Sequence, residues 1–226
     1  MPTLYIANKN YSSWSLRPWV LMRELGIPFD EKLVPFGAAQ TFRAFSPTGR
    51  VPCLVDGTTV VWDSLAIVEY LAEKFPHVWP ADAVARAWAR SAAAEMHSGF
   101  AHLRGICGMN CGVRVRLDAC PQALKDDLTR LDELWNDGFT RFGGPFLAGA
   151  SFTAADAFFA PVAFRIQTYG LELSKRSRQY AGALLALPAM QSWYEAALTE
   201  RWREADHEEE LLRAGTLLAD LRQAGR

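Results

Sequence analysis

The chain has 226 residues, with 24 Lys+Arg against 25 Asp+Glu and a formal net charge of −1 at pH 7. Half of it is hydrophobic and 22% is charged, so it can bury a sizeable core and is not a disordered chain. The near-neutral balance argues against a general nucleic-acid surface, and no apolar run approaches the roughly 18 residues that a membrane span needs.

The N-terminal MPTLYIANKNYSS lacks the basic-then-apolar order of a secretory signal. Four cysteines, Cys53, Cys107, Cys111 and Cys120, are too few and too unevenly placed for a disulfide framework. The expectation is a soluble, cytoplasmic protein with reduced thiols.

Thr3–Ala7 is a short β-prone run, followed by the polar loop NKNYSS and then by WSLRPWVLMREL with its apolar stripe. Gly26 and Pro28 close that segment as a helix C-cap and a breaker do. Phe29–Val34 reads as a second strand, parallel and adjacent to the first because the crossover is so short. After a loop, Cys53–Val55 and Thr59–Trp62 flank Asp56-Gly57, a hairpin signal. SLAIVEYLAEKF then places Leu65, Val68, Leu71 and Phe75 on one helical face, opened by the good N-cap pair Asp63-Ser64. The order β-α-β, connector, β-β-α is that of a thioredoxin-like α/β domain.

PHVWPAD, with its two prolines, is the linker candidate. Ala83–Ile106 is Ala-rich and helical, and Leu124, Leu128, Leu131, Trp135, Phe139 and Phe142 step by three and four along another helix. Thr153 and Asp156 open a further helix as a capping box. Pro188 begins PAMQSWYEAAL, and the segment from Glu204 forms a last helix or a solvated tail. The predicted organisation is a thioredoxin-like domain over residues 1–78, a linker over 79–85 and an all-α helical bundle over 86–226.

Three places could carry chemistry. In Tyr11-Ser12-Ser13-Trp14-Ser15-Leu16-Arg17, hydroxyls sit between a strand end and a helix start, where unpaired N–H groups and the positive helix end favour an anion. Ser12 and Ser15 have C-x-x-C spacing with serine at both places; serine cannot exchange disulfides, but it can donate a hydrogen bond to a ligand's thiolate. Simple capping explains the same serines. In Arg50-Val51-Pro52-Cys53, the proline opening a strand is a candidate cis peptide that would expose Val51 backbone groups to a peptide ligand, or else an ordinary trans strand start. Asp63-Ser64 either caps its helix or recognises an ammonium and a carboxylate together. In a thioredoxin-type domain all three line one edge of the sheet, where a small thiol-bearing peptide fits.

The chain resembles a cytosolic glutathione transferase of the bacterial, serine type over essentially its full length. SSWSLR after the first strand, SPTGRVPCL, DSLAIVEYL and SFTAADAFFAPV carry the resemblance, in the family's order. It implies glutathione as cosubstrate and no metal. It implies that Val51 pairs with the cysteinyl backbone through a cis bond to Pro52, that Asp63 and Ser64 hold the γ-glutamyl group, and that Arg50 or Gln40 lies near the glycyl end. The S-x-x-S-x-R register is similar to the zeta, tau and omega classes and puts the thiolate partner at Ser12; a theta-like spacing to Arg17 selects Ser13 instead. Trp14 stands where the zeta and beta classes carry a cysteine, and Arg165 lies at an earlier register than the zeta-class arginine, which puts maleylacetoacetate isomerisation in doubt.

The resemblance further implies an electrophile pocket built from Trp14, Met96, His97, Phe100 and Arg104 for a small hydrophobic electrophile, and a homodimer. The expected activity is conjugation of the glutathione thiol, activated by a serine hydroxyl. Isomerase, dehalogenase or peroxidase chemistry on the same fold and a non-catalytic binding module are the alternatives. Cys107 and Cys111 read as core residues, Cys53 as packed in the sheet and Glu208–Glu210 as a solvated face.

Overall fold

A computed structural model describes residues 1–37 and 41–223. Its first strand, β1 (Thr3–Ile6), alternates so that Leu4 and Ile6 are fully buried. Helix α1 (Ser13–Glu24) turns its Leu16, Val20 and Leu21 into the same core and delivers the chain to β2 (Asp30–Leu33), which pairs parallel to β1. Gly26, at φ +64°, makes the left-handed exit that glycine takes at no steric cost.

β3 (Cys53–Asp56) runs antiparallel to β1, and β4 (Thr59–Trp62) antiparallel to β3, across a turn in which Gly57 takes φ +60°. The sheet order is β2-β1-β3-β4. Helix α2 (Ser64–Ala72) follows, its first turn capped by Asp63, whose carboxylate accepts from the Leu65 N–H at 2.8 Å. Among its described residues, the connector between β2 and β3 contains a short 3-10 turn over Phe42–Ala44.

A second 3-10 turn, Pro76–Val78, leads into α3 (Ala83–Ser98), capped by Asp82. The helical region therefore starts inside the span 79–85 read as linker. Gly99 and a left-handed Phe100 (φ 52°, ψ 44°) split the expected Ala83–Ile106 helix, so that α4 (Ala101–Ile106) is separate. Then come α5 (Gln122–Phe142), α6 (Ala154–Tyr169), α7 (Lys175–Leu185), α8 (Pro188–Thr199) and α9 (Ala205–Ala214).

α6 is buried along almost its whole length and packs against α1, α3 and α7, so it joins the two regions. Its capping box is present: Asp156 accepts from the Thr153 N–H at 3.0 Å and, beyond the box, from the Leu147 N–H and the Tyr180 hydroxyl. A buried carboxylate demands such partners.

The second region is helical but not purely so. β5 (Val113–Leu117) and β6 (Gly215–Asp220) form an antiparallel ribbon. The alternation was in the sequence: Val113 and Val115 are buried while Arg116 is exposed, a period of two. Its partner strand lies about a hundred residues away, beyond reach of any local pattern.

Candidate active site

The turn between β1 and α1 is held from beneath by the helical region. Asn8, Lys9 and Asn10 are all nearly inaccessible. The Glu200 carboxylate accepts from the Lys9 N–H at 2.6 Å, the Asn10 N–H at 3.2 Å and the Asn10 side-chain amide at 3.3 Å. Burial pushes the Glu200 carboxyl up, and these hydrogen bonds pull against it. The Lys9 carbonyl accepts from the Trp193 indole at 2.8 Å, and its ammonium pairs with Glu31 at 2.7 Å between the rings of Trp19 and Trp193. Nothing in the polar run NKN announced this; its partners sit on β2, on α8 and just past the end of α8.

On that support stand the serines. Ser12 is the N-cap position of α1, and Ser13 its first residue. The Ser12 hydroxyl donates to Ser15 Oγ at 2.7 Å, and Ser15 Oγ accepts from the Ala7 N–H at 3.3 Å. The Ser13 hydroxyl makes no hydrogen bond among the described residues, and both serines line a cavity of about 420 Å³. Trp14, Arg50, Val51, Arg104, Met109, Arg165 and the α9 residues His207 and Glu210 line it too.

A second cavity, of about 570 Å³, is lined by Thr48, Pro52, Trp62, Asp63 and Ser64 and shares Trp14, Arg50 and Val51 with the first. The Val51–Pro52 bond is cis. Asp63 takes φ 74° and ψ 136°, a conformation that residues with a side chain rarely adopt. Its second carboxylate oxygen lies 3.5 Å from His97 Nε2 on α3. Ser64 is fully buried, with the Arg17 guanidinium 3.5 Å from its hydroxyl.

Arg17 is buried beneath the Trp14 ring, 4.2 Å from the centroid, and its Nε has no hydrogen-bond partner among the described residues. Burial, with repulsion from Arg165 and Arg104, lowers its pKa to about 9. His97 packs edge-on against Trp14, and its pKa is lowered, chiefly by burial.

The sequence-predicted residues thus gather on both sides of Trp14, with corrections. Met96 and Phe100 are core residues that line neither cavity; Phe100 is spent on the left-handed break before α4. His97 faces Asp63 rather than the cavity of the serines. Gln40 lies outside the described residues. Glu208 is not on a solvated face: it accepts from the Tyr11 hydroxyl at 2.6 Å and pairs with Arg222. Arg165 and His207, which line the cavity, were not among the expected pocket residues.

Among the described residues no cluster of His, Cys, Asp or Glu could hold a metal ion, and no helix is long and apolar enough to cross a membrane. A roomier cavity of about 930 Å³ lies between β5, α5 and the α6–α7 connection, and holds none of the expected site residues.

Family models described as the glutathione S-transferase N-terminal domain and the glutathione S-transferase C-terminal domain match residues 11–74 and 81–196. Glutathione S-transferase 1 from Dianthus caryophyllus is 28% identical over 184 residues, 76% of this chain and 80% of that protein. Dichloromethane dehalogenase from Methylorubrum extorquens is 46% identical, but over 59 residues only, 24% of this chain and 20% of that protein. A glutathione transferase homolog from Burkholderia GL BGR1, solved with bound glutathione, superposes with a TM-score of 0.66 at 26% identity, covering 87% of this chain and 97% of that one. With both models matching in order, and with the sheet, the cis proline and the serine turn arranged around one cleft, the chain belongs to the glutathione S-transferase family.

Proposed function

We propose that the protein binds glutathione along the sheet edge and presents its thiolate to a small electrophile. The observation that supports this best is the pair of cavities divided by Trp14 and joined at Arg50 and Val51. One offers Asp63 and the N-terminus of α2 for an amino-acid end, and the other offers serine hydroxyls at the N-terminus of α1 for a thiolate. Val51 lies between them to pair with the peptide backbone, as an added strand would.

Of the two serines, Ser13 is the thiol's partner in this reading. Ser12 donates its proton to Ser15, whereas the Ser13 proton has no acceptor among the described residues. A hydrogen bond to the thiolate, assisted by the helix N-terminus and by the buried cation Arg17, favours the ionised thiol. The nucleophile arrives with the cosubstrate, so no covalent enzyme intermediate is needed.

Glutathione titrated by calorimetry, with an ultraviolet difference spectrum for bound thiolate, tests this. The expected result is saturable binding with a thiolate band that disappears in Ser13→Ala and persists in Ser12→Ala. Absence of binding overturns the reading; loss of the band only in Ser12→Ala moves the role to Ser12. Val60 and Trp62 project from one face of β4 and are exposed, which supports a homodimer, to be read by sedimentation equilibrium.

A further inference from the structure

Three guanidinium groups from three helices converge beside the serine turn, and none has a carboxylate of its own among the described residues. Arg165, on α6, is 4% exposed; its Nε donates to the Cys107 carbonyl at 2.8 Å and its Nη1 is buried with no hydrogen-bond partner among the described residues. Arg104, on α4, donates from Nε to the Gly99 carbonyl at 2.9 Å and lies 5.5 Å from the Trp14 ring centroid. Both line the cavity that holds Ser12 and Ser13. Arg17 lies on the other face of the group, under Trp14.

The acids nearby are engaged or stand apart. Asp63 accepts from the Leu65 N–H and faces His97, and Glu208 is bound to Arg222 and Tyr11. Glu210 lines the same cavity from α9 but is exposed and forms no ion pair with either arginine. A buried charge without a counter-charge is expensive, and a buried guanidinium with an unmade hydrogen bond more so. Burial holds the Arg165 pKa down at about 10, and Arg104 adds repulsion. A fixed cation of this kind is stabilised by an anion that enters the cavity.

We propose that the second substrate is an electrophile carrying a carboxylate, and that Arg104 and Arg165 hold that carboxylate beside the serines. This rests on the glutathione reading above. The guanidinium fork matches a carboxylate in the plane of two N–H groups, which a point charge does not. Trp14, Phe36, Phe42 and Met109 supply the apolar walls for the electrophile's body, and the cavity's volume of about 420 Å³ suits a single-ring compound. Orientation follows: with its carboxylate held by α4 and α6, the reacting carbon faces the turn where the thiolate lies.

The test uses an unreactive pair of equal shape, 3-nitrobenzoate and 3-nitrobenzamide, titrated by calorimetry into the full-length protein saturated with glutathione. Saturation with glutathione ensures that its own carboxylates have taken whatever site they prefer. The benzoate is expected to bind at least tenfold more tightly than the amide, with an advantage that shrinks as salt rises. The advantage falls below threefold in Arg104→Gln and in Arg165→Met. Arg104→Gln keeps the proposal testable if the buried Arg165 position does not tolerate change.

Equal affinities, or binding of neither compound while the thiolate band persists, overturn the anion site and leave the glutathione reading standing. Equal affinities in the saturated protein, where the glutathione-free protein prefers the benzoate, mean that glutathione's own carboxylate fills the arginines, which also overturns it. Loss of glutathione binding itself marks failure of the parent reading instead.

Discussion

The Tyr11 hydroxyl donates to Glu208 Oε1 at 2.6 Å, so the residue just before the serine turn is tied to a helix nearly two hundred positions later. Arg222 completes the set: its guanidinium pairs with Glu208 and with Asp220 at the end of β6 and donates to the Tyr11 oxygen at 3.2 Å. His207, one position before Glu208, stacks on Tyr11 and Phe36 over the cavity. The β5–β6 ribbon and α9 are therefore fixed as a unit against the serine turn, and the roof of the cavity lined by Ser12 and Ser13 depends on it.

Arg222→Ala is expected to loosen that roof. It strands the half-buried Glu208 carboxylate and removes charge-assisted hydrogen bonds, at a cost of about 2 kcal/mol. In a domain of this size that corresponds to a fall of roughly 4–8 °C in Tm. Differential scanning calorimetry reads the fall, and amide exchange in α9 should rise more than in α6. Uniform exchange across both helices would refute the local role.

The same cluster sets an acid limit. Hydrogen bonds from Arg222 and Tyr11 hold the Glu208 carboxyl below its usual value, and Arg222 does the same for Asp220. A carboxylate whose folded pKa is depressed adds stability that is complete above its unfolded value, near 4.5 for Glu and 3.8 for Asp, and is lost as pH falls through the folded value. Tm should therefore fall steeply below about pH 4.5, and Glu208→Gln should flatten that slope. A Tm–pH curve unchanged in Glu208→Gln would show that the limit lies elsewhere.

Local patterns in the sequence carried the thioredoxin-like order, the Asp56-Gly57 hairpin, the Thr153–Asp156 capping box and the gathering of Ser12, Ser13, Val51, Asp63 and Ser64. The first three rest on residues close together or on a motif whose neighbours follow within a turn, and the gathering of the site follows from the thioredoxin-like order that they establish. What escaped was long-range. The Asn8–Asn10 support needs Glu200, Tyr11 needs Glu208, and β5 needs β6; in each case the partner lies roughly a hundred residues away or more. Burial also decided what periodicity left open: Met96 and Phe100 share the cleft-side helical segment but went to the core.

Glu200→Gln tests the support of the serine turn. A carboxylate accepts from all three donors of Lys9 and Asn10, whereas an amide turns an N–H group toward at least one of them. Hydrogen bonds to a buried charged acceptor are worth roughly 1.5–3 kcal/mol each, part of which the amide oxygen keeps. The expected outcome is a lower Tm, together with a thiolate band that weakens although glutathione still binds. A lower Tm with the band intact would make Glu200 structural only.

Asp63 combines two costs that a single substitution can separate. At φ 74° and ψ 136° it lies outside even the left-handed helical region that Asp tolerates, a strain of order 1–3 kcal/mol. Glycine adopts that conformation freely, and replacing an N-cap carboxylate by glycine costs only a few tenths of a kcal/mol. Asp63→Gly should therefore leave Tm unchanged or raise it by a few degrees. If the carboxylate holds the amine of glutathione, the same variant should bind glutathione at least tenfold more weakly, as read by calorimetry. Stability gained while affinity is lost would identify the strain as maintained for the ligand. A fall in Tm with affinity intact would mean that the strained residue serves the fold, through its cap on Leu65 and its contact with His97.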